Sequence, residues 1–187
     1  TLSLNEEEKE SIKDLYLLTA KPVLYIANVS ESQLENVEAD SMVQRVEEYA
    51  KTENAKVIPL CVKIEEELST LDGEDKKEML EAIGLKESGL DKVIKTSYDL
   101  LGLMSFLTAG EPEVRAWTIK KGTKAPEAAG KIHSDIQRGF IRAEVVSYDD
   151  LVKEGSMVAC KEKGLVRSEG KDYIMQDGDI VLFKFNV

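Results

Sequence analysis

Asn28-Val29-Ser30-Glu31 places an amide, a hydroxyl and a carboxylate within four residues, directly after the apolar run Leu24-Tyr25-Ile26-Ala27. A continuous apolar run suits a strand covered on both faces. Open α/β sheets bind ligands beyond the carboxyl ends of their parallel strands, where such groups can read hydrogen-bonding edges. The plain alternative is a chain leaving its sheet through ordinary loop residues. Phosphate-handling chemistry has no matching signal. A phosphate loop reads G-x-x-x-x-G-K-[ST], with the hydroxyl on magnesium. The two Gly-Lys pairs, Gly130-Lys131 and Gly170-Lys171, are followed by Ile132 and Asp172 and lack the earlier glycine.

His133 is the single histidine. It reads as a surface or helix-end residue and is given no catalytic role. Glu65-Glu66-Glu67 and Asp149-Asp150 read as solvated faces, so no metal ligands are assigned. Trp117 reads as core in a strand. Between 115 and 142 lie Arg115, Lys120, Lys121, Lys124, Lys131, Arg138 and Arg142, against Glu127 and Asp135. That stretch is a solvated surface or a contact for nucleic-acid phosphates.

The elements that position these groups fall into two styles. Asn5 with Glu8 three residues on reads as a capped helix start running through about Leu18. Pro22 opens the strand PVLYIAN. Met42, Val46, Tyr49 and Ala50 recur at helical spacing over 42–50. A second apolar run, Val57 to Val62, follows. Strand, helix, strand within this length is a βαβ unit with parallel neighbours and a right-handed crossover. Further helices are expected near 74–83 and 90–103, the second capped by Ser88. Two parallel strands need more strands beside them to complete such a domain. In the second half, EVRAWTI alternates, with Arg115, Trp117 and Ile119 on one side. Pro126 begins a short helix, Gly139 to Val146 is a strand, and Gln176-Asp177-Gly178-Asp179 turns into a closing strand, IVLFKFNV. These pieces describe a small α+β roll.

Charge follows the same division. The net charge is −11, with 42% apolar and 33% charged residues in 187, a globular composition. Residues 1–103 hold 12 Lys/Arg and 23 Asp/Glu, while 104–187 hold 13 of each. The acidic first half argues against nucleic-acid binding there; the neutral second half, with its clustered bases, stays open to it. No stretch approaches the length of a membrane span, and TLSLNEEEKES has no secretory-signal pattern. Cys61 and Cys160 have no metal-ligand spacing and read as reduced thiols, pointing to the cytoplasm.

Three stretches carry a family resemblance: LLTAKPVLYIANVSE, EVRAWTIKKGTKAPEAAGKIHSDIQRGFIRAEV and GKDYIMQDGDIVLFKFNV. The chain resembles the carboxyl-terminal half of the YchF (Obg-like) ATPases, translation-factor-class P-loop proteins. The resemblance implies a helix returning from a coiled-coil insertion over 1–20. It puts the carboxyl-terminal part of a Ras-like nucleotide-binding G domain at 21–103, and a ubiquitin-like β-grasp TGS domain at 104–187. In such proteins the phosphate loop and both switches lie upstream of the matching region.

Ordinary GTPases carry N-K-x-D where this chain has Asn28-Val29-Ser30-Glu31. The longer Glu31 and the loss of lysine at Val29 imply that Asn28 and the Val29 backbone meet a purine with guanine no longer favoured. A site that hydrogen-bonds one edge rejects the other. Cys61, Val62 and Lys63, leading into Ile64 and Glu65, correspond to the second base loop. The resemblance implies ATP as ligand with GTP weaker, Mg2+ held by residues outside this chain, and ribosomal RNA at Lys120, Lys121 and Lys124. It implies a cytoplasmic, monomeric ribosome partner with no role for DNA or membrane. The alternative is a non-catalytic RNA-, ribosome- or protein-binding module, because the 187 residues contain no phosphate loop.

Overall fold

The computed structural model describes residues 4–110 and 113–186. Internal contacts divide the chain between Ser97 and Tyr98. The first unit contains α1 (Glu6–Ser11), β1 (Leu24–Asn28), α2 (Glu31–Leu34), α3 (Ser41–Thr52), β2 (Lys56–Leu60), α4 (Val62–Ser69), α5 (Gly73–Ala82) and the larger part of α6 (Gly89–Leu100). β1 and β2 pair in parallel, Leu24 opposite Lys56 through Asn28 opposite Leu60, with α3 in the crossover. The βαβ unit read from the sequence is present.

In α3, Val43 and Ala50 are buried against the strands, while Met42 and Tyr49 of the expected stripe are exposed. Asp40 caps it, Oδ1 accepting from the N–H groups of Met42 at 2.9 Å and Val43 at 3.1 Å. Oδ2 accepts from the Gln33 amide at 2.8 Å. The Gln33 bond first, then the backbone bonds, hold the Asp40 carboxyl below its ordinary value of 3.8. A carboxylate depressed on folding stabilises fully above its unfolded pKa and loses that contribution as pH falls through the folded value. Asp40→Ala should therefore lower the urea midpoint at neutral pH, as a lost helix cap does. The gap to wild type should narrow as pH falls from the ordinary value of 3.8 through the lower folded one. A pH series of urea melts checks it.

One expected element is shorter than read. The capping box is present, Asn5 accepting from Glu8 N–H and Glu8 from Asn5 N–H at 2.9 Å each. Yet α1 stops at Ser11, not near Leu18, and continues as 3-10 turns over Lys13–Leu15 and Leu18–Ala20. Tyr16 turns left-handed at φ 49°. Leu15, Tyr16 and Leu18 are more than 60% exposed, so among the described residues these side chains gain little packing that would sustain a longer helix.

The second unit contains β3 (Leu103–Ala109), β4 (Val114–Lys120), α7 (Ala125–Ile132), α8 (Ser134–Arg138), β5 (Phe140–Ser147), α9 (Tyr148–Glu154), α10 (Met157–Glu162), β6 (Arg167–Glu169) and β7 (Asp179–Phe185). The sheet order is β4-β3-β7-β5-β6, with β3 parallel to β7 and the other neighbours antiparallel. Counted within the unit, this is the 2-1-5-3-4 order of a ubiquitin-like β-grasp. α7 presents Ala125, Ala128 and Ala129, all fully buried, to a core containing Phe106, Ile119, Val145 and Phe183. Small residues there let the helix axis approach the aromatic-rich sheet. Leu151 and Met157 pack with Cys160 against Val146 and Ile180 in a second cluster. The reading of 90–103 as one helix is corrected: the helix ends at Leu100, Gly102 turns at φ 63°, and Leu103 opens a strand.

Candidate functional site

Parallel pairing in register brings β1 and β2 to an end at the same level, Asn28 beside Leu60. The Val29 N–H extends the ladder by donating to Leu60 O at 2.9 Å. Each strand then turns at once into a helix. Ser30 caps α2 in a capping box with Gln33, its N–H donating to Gln33 Oε1 at 2.9 Å and its hydroxyl oxygen accepting from Gln33 N–H at 3.4 Å. Cys61 is the residue before α4. Between the two helix starts lies a cleft of about 840 Å3. Asn28, Val29, Ser30 and Cys61 line it from the strand ends, Glu31 and Leu34 from α2, Lys63 and Ile64 from α4, and Met79 and Ile83 from the α5 region. Volume and lining, apolar with a few convergent polar groups, suit a small planar ligand.

Asn28 joins the two loops. Its Oδ1 accepts the Val62 N–H at 3.2 Å, which fixes the amide orientation, since only the oxygen can accept. Among the described residues its amide nitrogen has no partner and remains available to the cleft. Across the mouth, Lys63 Nζ meets Glu31 Oε1 at 2.6 Å, both half-exposed. Glu31 holds the Lys63 ammonium above its ordinary pKa. The pair spans 32 residues and ties the first turns of α2 and α4 together.

Of the seven residues expected at a base, the cleft is lined by Asn28, Val29, Ser30, Glu31, Cys61 and Lys63; Val62 is outside it. Val62 is corrected from strand to first residue of α4, half-exposed, with its N–H already taken by Asn28. The Val29 N–H is likewise committed to the ladder, and Val29 is only 7% exposed. Both N–H groups therefore have internal partners, which among the described residues leaves the Val29 carbonyl as the backbone group free to meet a base. Leu34, Met79 and Ile83 were missed as walls. The Ser30–Gln33 spacing, S-x-x-Q, is the signal that could have placed α2 and Leu34 there.

Comparison with known proteins gives the family likeness. A family model, YchF-GTPase_C, described as a protein of unknown function (DUF933), matches residues 103–186. "Ribosome-binding ATPase YchF" of Bacillus subtilis (strain 168) is 55% identical over 187 residues, covering 100% of this chain and 51% of that protein. Along its whole length this chain is similar to the carboxyl-terminal half of YchF proteins. The protein of the same name from Haemophilus influenzae is 48% identical over the same share. The solved Schizosaccharomyces pombe YchF GTPase superposes with a TM-score of 0.82 at 37% identity, over 98% of this chain and 49% of that one. A GTP-binding protein of Pyrococcus horikoshii OT3, at 21% identity and a TM-score of 0.59, shares the fold. The chain spans about half the length of the curated YchF relatives it matches.

In this YchF-like chain the basic stretch is mostly occupied by internal partners. Lys121 pairs with Asp99 and Lys124 with Asp172, both at 2.8 Å. Arg138 pairs with Asp135, and Arg142 reaches Glu144 at 3.4 Å. Lys120 has no ion pair among the described residues. Trp117 is partly buried, donates to Thr108 Oγ1 at 2.9 Å and carries the Arg115 guanidinium 4.1 Å from its ring centre. Stacked beside Phe106, it is core, as read. His133 sits between α7 and α8, its Nδ1 accepting Asp135 N–H at 3.2 Å. That is a helix-end role. Both cysteines are free and buried.

Proposed function

We propose that this chain supplies the base-reading side of a nucleotide site and a ribosome-contacting β-grasp module of the TGS type. The observation that carries the reading is the cleft at the carboxyl ends of β1 and β2, with the Asn28–Glu31 loop beside the Cys61–Lys63 loop. Its size and its unpartnered Asn28 amide nitrogen fit a purine. Val29 in place of a lysine, and the Glu31 carboxylate engaged by Lys63, favour adenine over guanine. ATP is the preferred ligand and GTP the weaker one. Phosphates and Mg2+ are handled by a phosphate loop outside these residues, and ATP hydrolysis belongs to the complete protein. The relatives' names state ribosome binding and ATPase activity, and this chain is read as part of a protein that acts on ribosomes, in the cytoplasm and as a monomer. Binding of a fluorescent adenosine nucleotide, competed by ATP and by GTP, tests the base reading.

The second reading rests on sequence: these 187 residues contain no G-x-x-x-x-G-K-[ST]. By themselves they act as a binding module. Phosphoryl transfer needs the phosphate-loop lysine and magnesium, so the 187-residue chain should turn over no ATP above background.

The ribosome contact is assigned to Lys120, Lys121 and Lys124 at the β4–α7 turn. Changing all three to Gln should flatten the log–log salt dependence of ribosome co-sedimentation by roughly 2 to 3, if each meets one RNA phosphate. Asp99 and Asp172 compete for two of them, so a change below roughly 1 would leave Lys120 as the only phosphate contact. Superimposable salt curves would remove the RNA assignment.

A further inference from the structure

The geometry points to Glu65, outside the cleft, as a positioning residue that sets the shape of the base-reading loop by clamping it to α6; the inference rests on the cleft being the base site. Sequence placed Glu65 on a solvated acidic face with Glu66 and Glu67. The structure separates it from them. Its carboxylate accepts the first two N–H groups of α6, Oε1 from Gly89 at 2.7 Å and Oε2 from Leu90 at 3.1 Å. Ser88 Oγ accepts the third, from Asp91, at 3.1 Å. Three of the four free donors at the start of α6 are therefore satisfied, two of them by a residue from another helix. A carboxylate against a helix N-terminus is also favoured by the helix dipole.

Gly89 is part of the same device. A Cβ there would stand 2.8 Å from Glu65 Oε1 and 3.0 Å from Leu60 Cβ. The missing side chain is what lets the carboxylate reach the backbone of α6. Glu65 lies in the first turn of α4, its N–H donating to Cys61 O at 3.1 Å. That turn is consequently held at two points: Asn28 takes the Val62 N–H on the cleft side, and Glu65 anchors it to α6. Lys63 and Ile64, which line the cleft, sit between these anchors, and Cys61, which also lines it, directly precedes the first. Release of one anchor lets the turn move while the buried Ile64 and Leu68 keep α4 folded against Leu80.

The experiment uses protein of the relatives' full length and measures displacement of a fluorescent adenosine nucleotide by ATP. Glu65→Ala and Gly89→Ala, which break the clamp from opposite sides, should each weaken ATP by ~tenfold. Glu65→Gln keeps one acceptor and should recover most of that loss. Ser88→Ala removes a cap from the same helix end without touching α4, and should leave ATP within about twofold. Urea midpoints of all four variants are recorded alongside. Ser88→Ala weakening ATP as much as Glu65→Ala would reduce Glu65 to a stabilising cap and overturn the inference, as would wild-type affinity in Glu65→Ala. Asn28→Ala serves as the reference. A loss there without one in Glu65→Ala sinks the positioning role alone, whereas no loss in either sinks the base site itself.

Discussion

Gly139→Ala should lower the melting temperature of the β-grasp unit by ten degrees or more, on the order of 3 kcal/mol for a domain of this size. The cause is close backbone approach, not conformational freedom. An alanine Cβ at 139 would lie 2.0 Å from Asn186 O, 2.8 Å from its carbonyl carbon and 3.1 Å from its nitrogen. No flexible side chain can yield, because every one of those atoms is backbone. Gly139 O also accepts Asn186 N–H at 2.9 Å, continuing the β5–β7 pairing past Phe140 and Phe185. Opening that end pulls on Phe140 and Phe183, both in the main core. The single tryptophan, Trp117, packs against the same core, so its fluorescence reports this unit selectively. Gly170→Ala is the control, since its Cβ would meet nothing within 4 Å, and a surface change of that kind stays within about ±0.5 kcal/mol. Equal melting of the two variants would contradict the account of this contact. Loss of ribosome association by Gly139→Ala near its melting temperature, but not by Gly170→Ala, would follow from the proposed function.

The strand ends that make the cleft were legible because period and punctuation agreed. Pro22 to Ala27 and Val57 to Val62 are short apolar runs bounded by polar residues, and the segment between them carries the helical spacing of α3. β3 was not legible in the same way. Leu101-Gly102-Leu103-Met104 continues the apolar composition of α6, so composition carried the helix to 103. The stop signal was Gly102, and the strand signal was alternation, with Met104 and Phe106 buried and their neighbours less so. The segment 148–162 carries local punctuation without a clear apolar period: Ser147 caps α9, accepting Asp150 N–H at 3.1 Å, and Gly155 ends it at φ 75°.

The limits at the site have a different origin. Asn28, Glu31 and Lys63 announce chemistry by type, but nothing local tells that Glu31 and Lys63, 32 residues apart, will meet. Nor does sequence distinguish Glu65 from Glu66 and Glu67. Helical rotation does: Glu65 is turned to α6, while the other two are exposed. The paired charges of the basic stretch are similarly non-local, Lys124 with Asp172 standing 48 residues apart.

Base reading at Asn28 is the central claim, and the choice of variant matters. Val29→Lys with Glu31→Asp would imitate the guanine-binding pattern, but Val29 is 7% exposed, and a lysine there would place a charge in a packed wall. Asn28→Ala is the cleaner change. It removes the acceptor that holds Val62 N–H and the amide nitrogen available to a purine. Groups that hydrogen-bond one base edge give discrimination because the wrong base leaves them unpaired. Losing them should cost ATP more than GTP. The decisive measurement is displacement of a fluorescent adenosine nucleotide by ATP and by GTP, on protein of the relatives' full length, wild type beside Asn28→Ala. The account predicts that ATP weakens more than ~tenfold while GTP shifts far less, so the two curves converge. Unchanged ATP and GTP curves in Asn28→Ala would contradict base reading by this cleft.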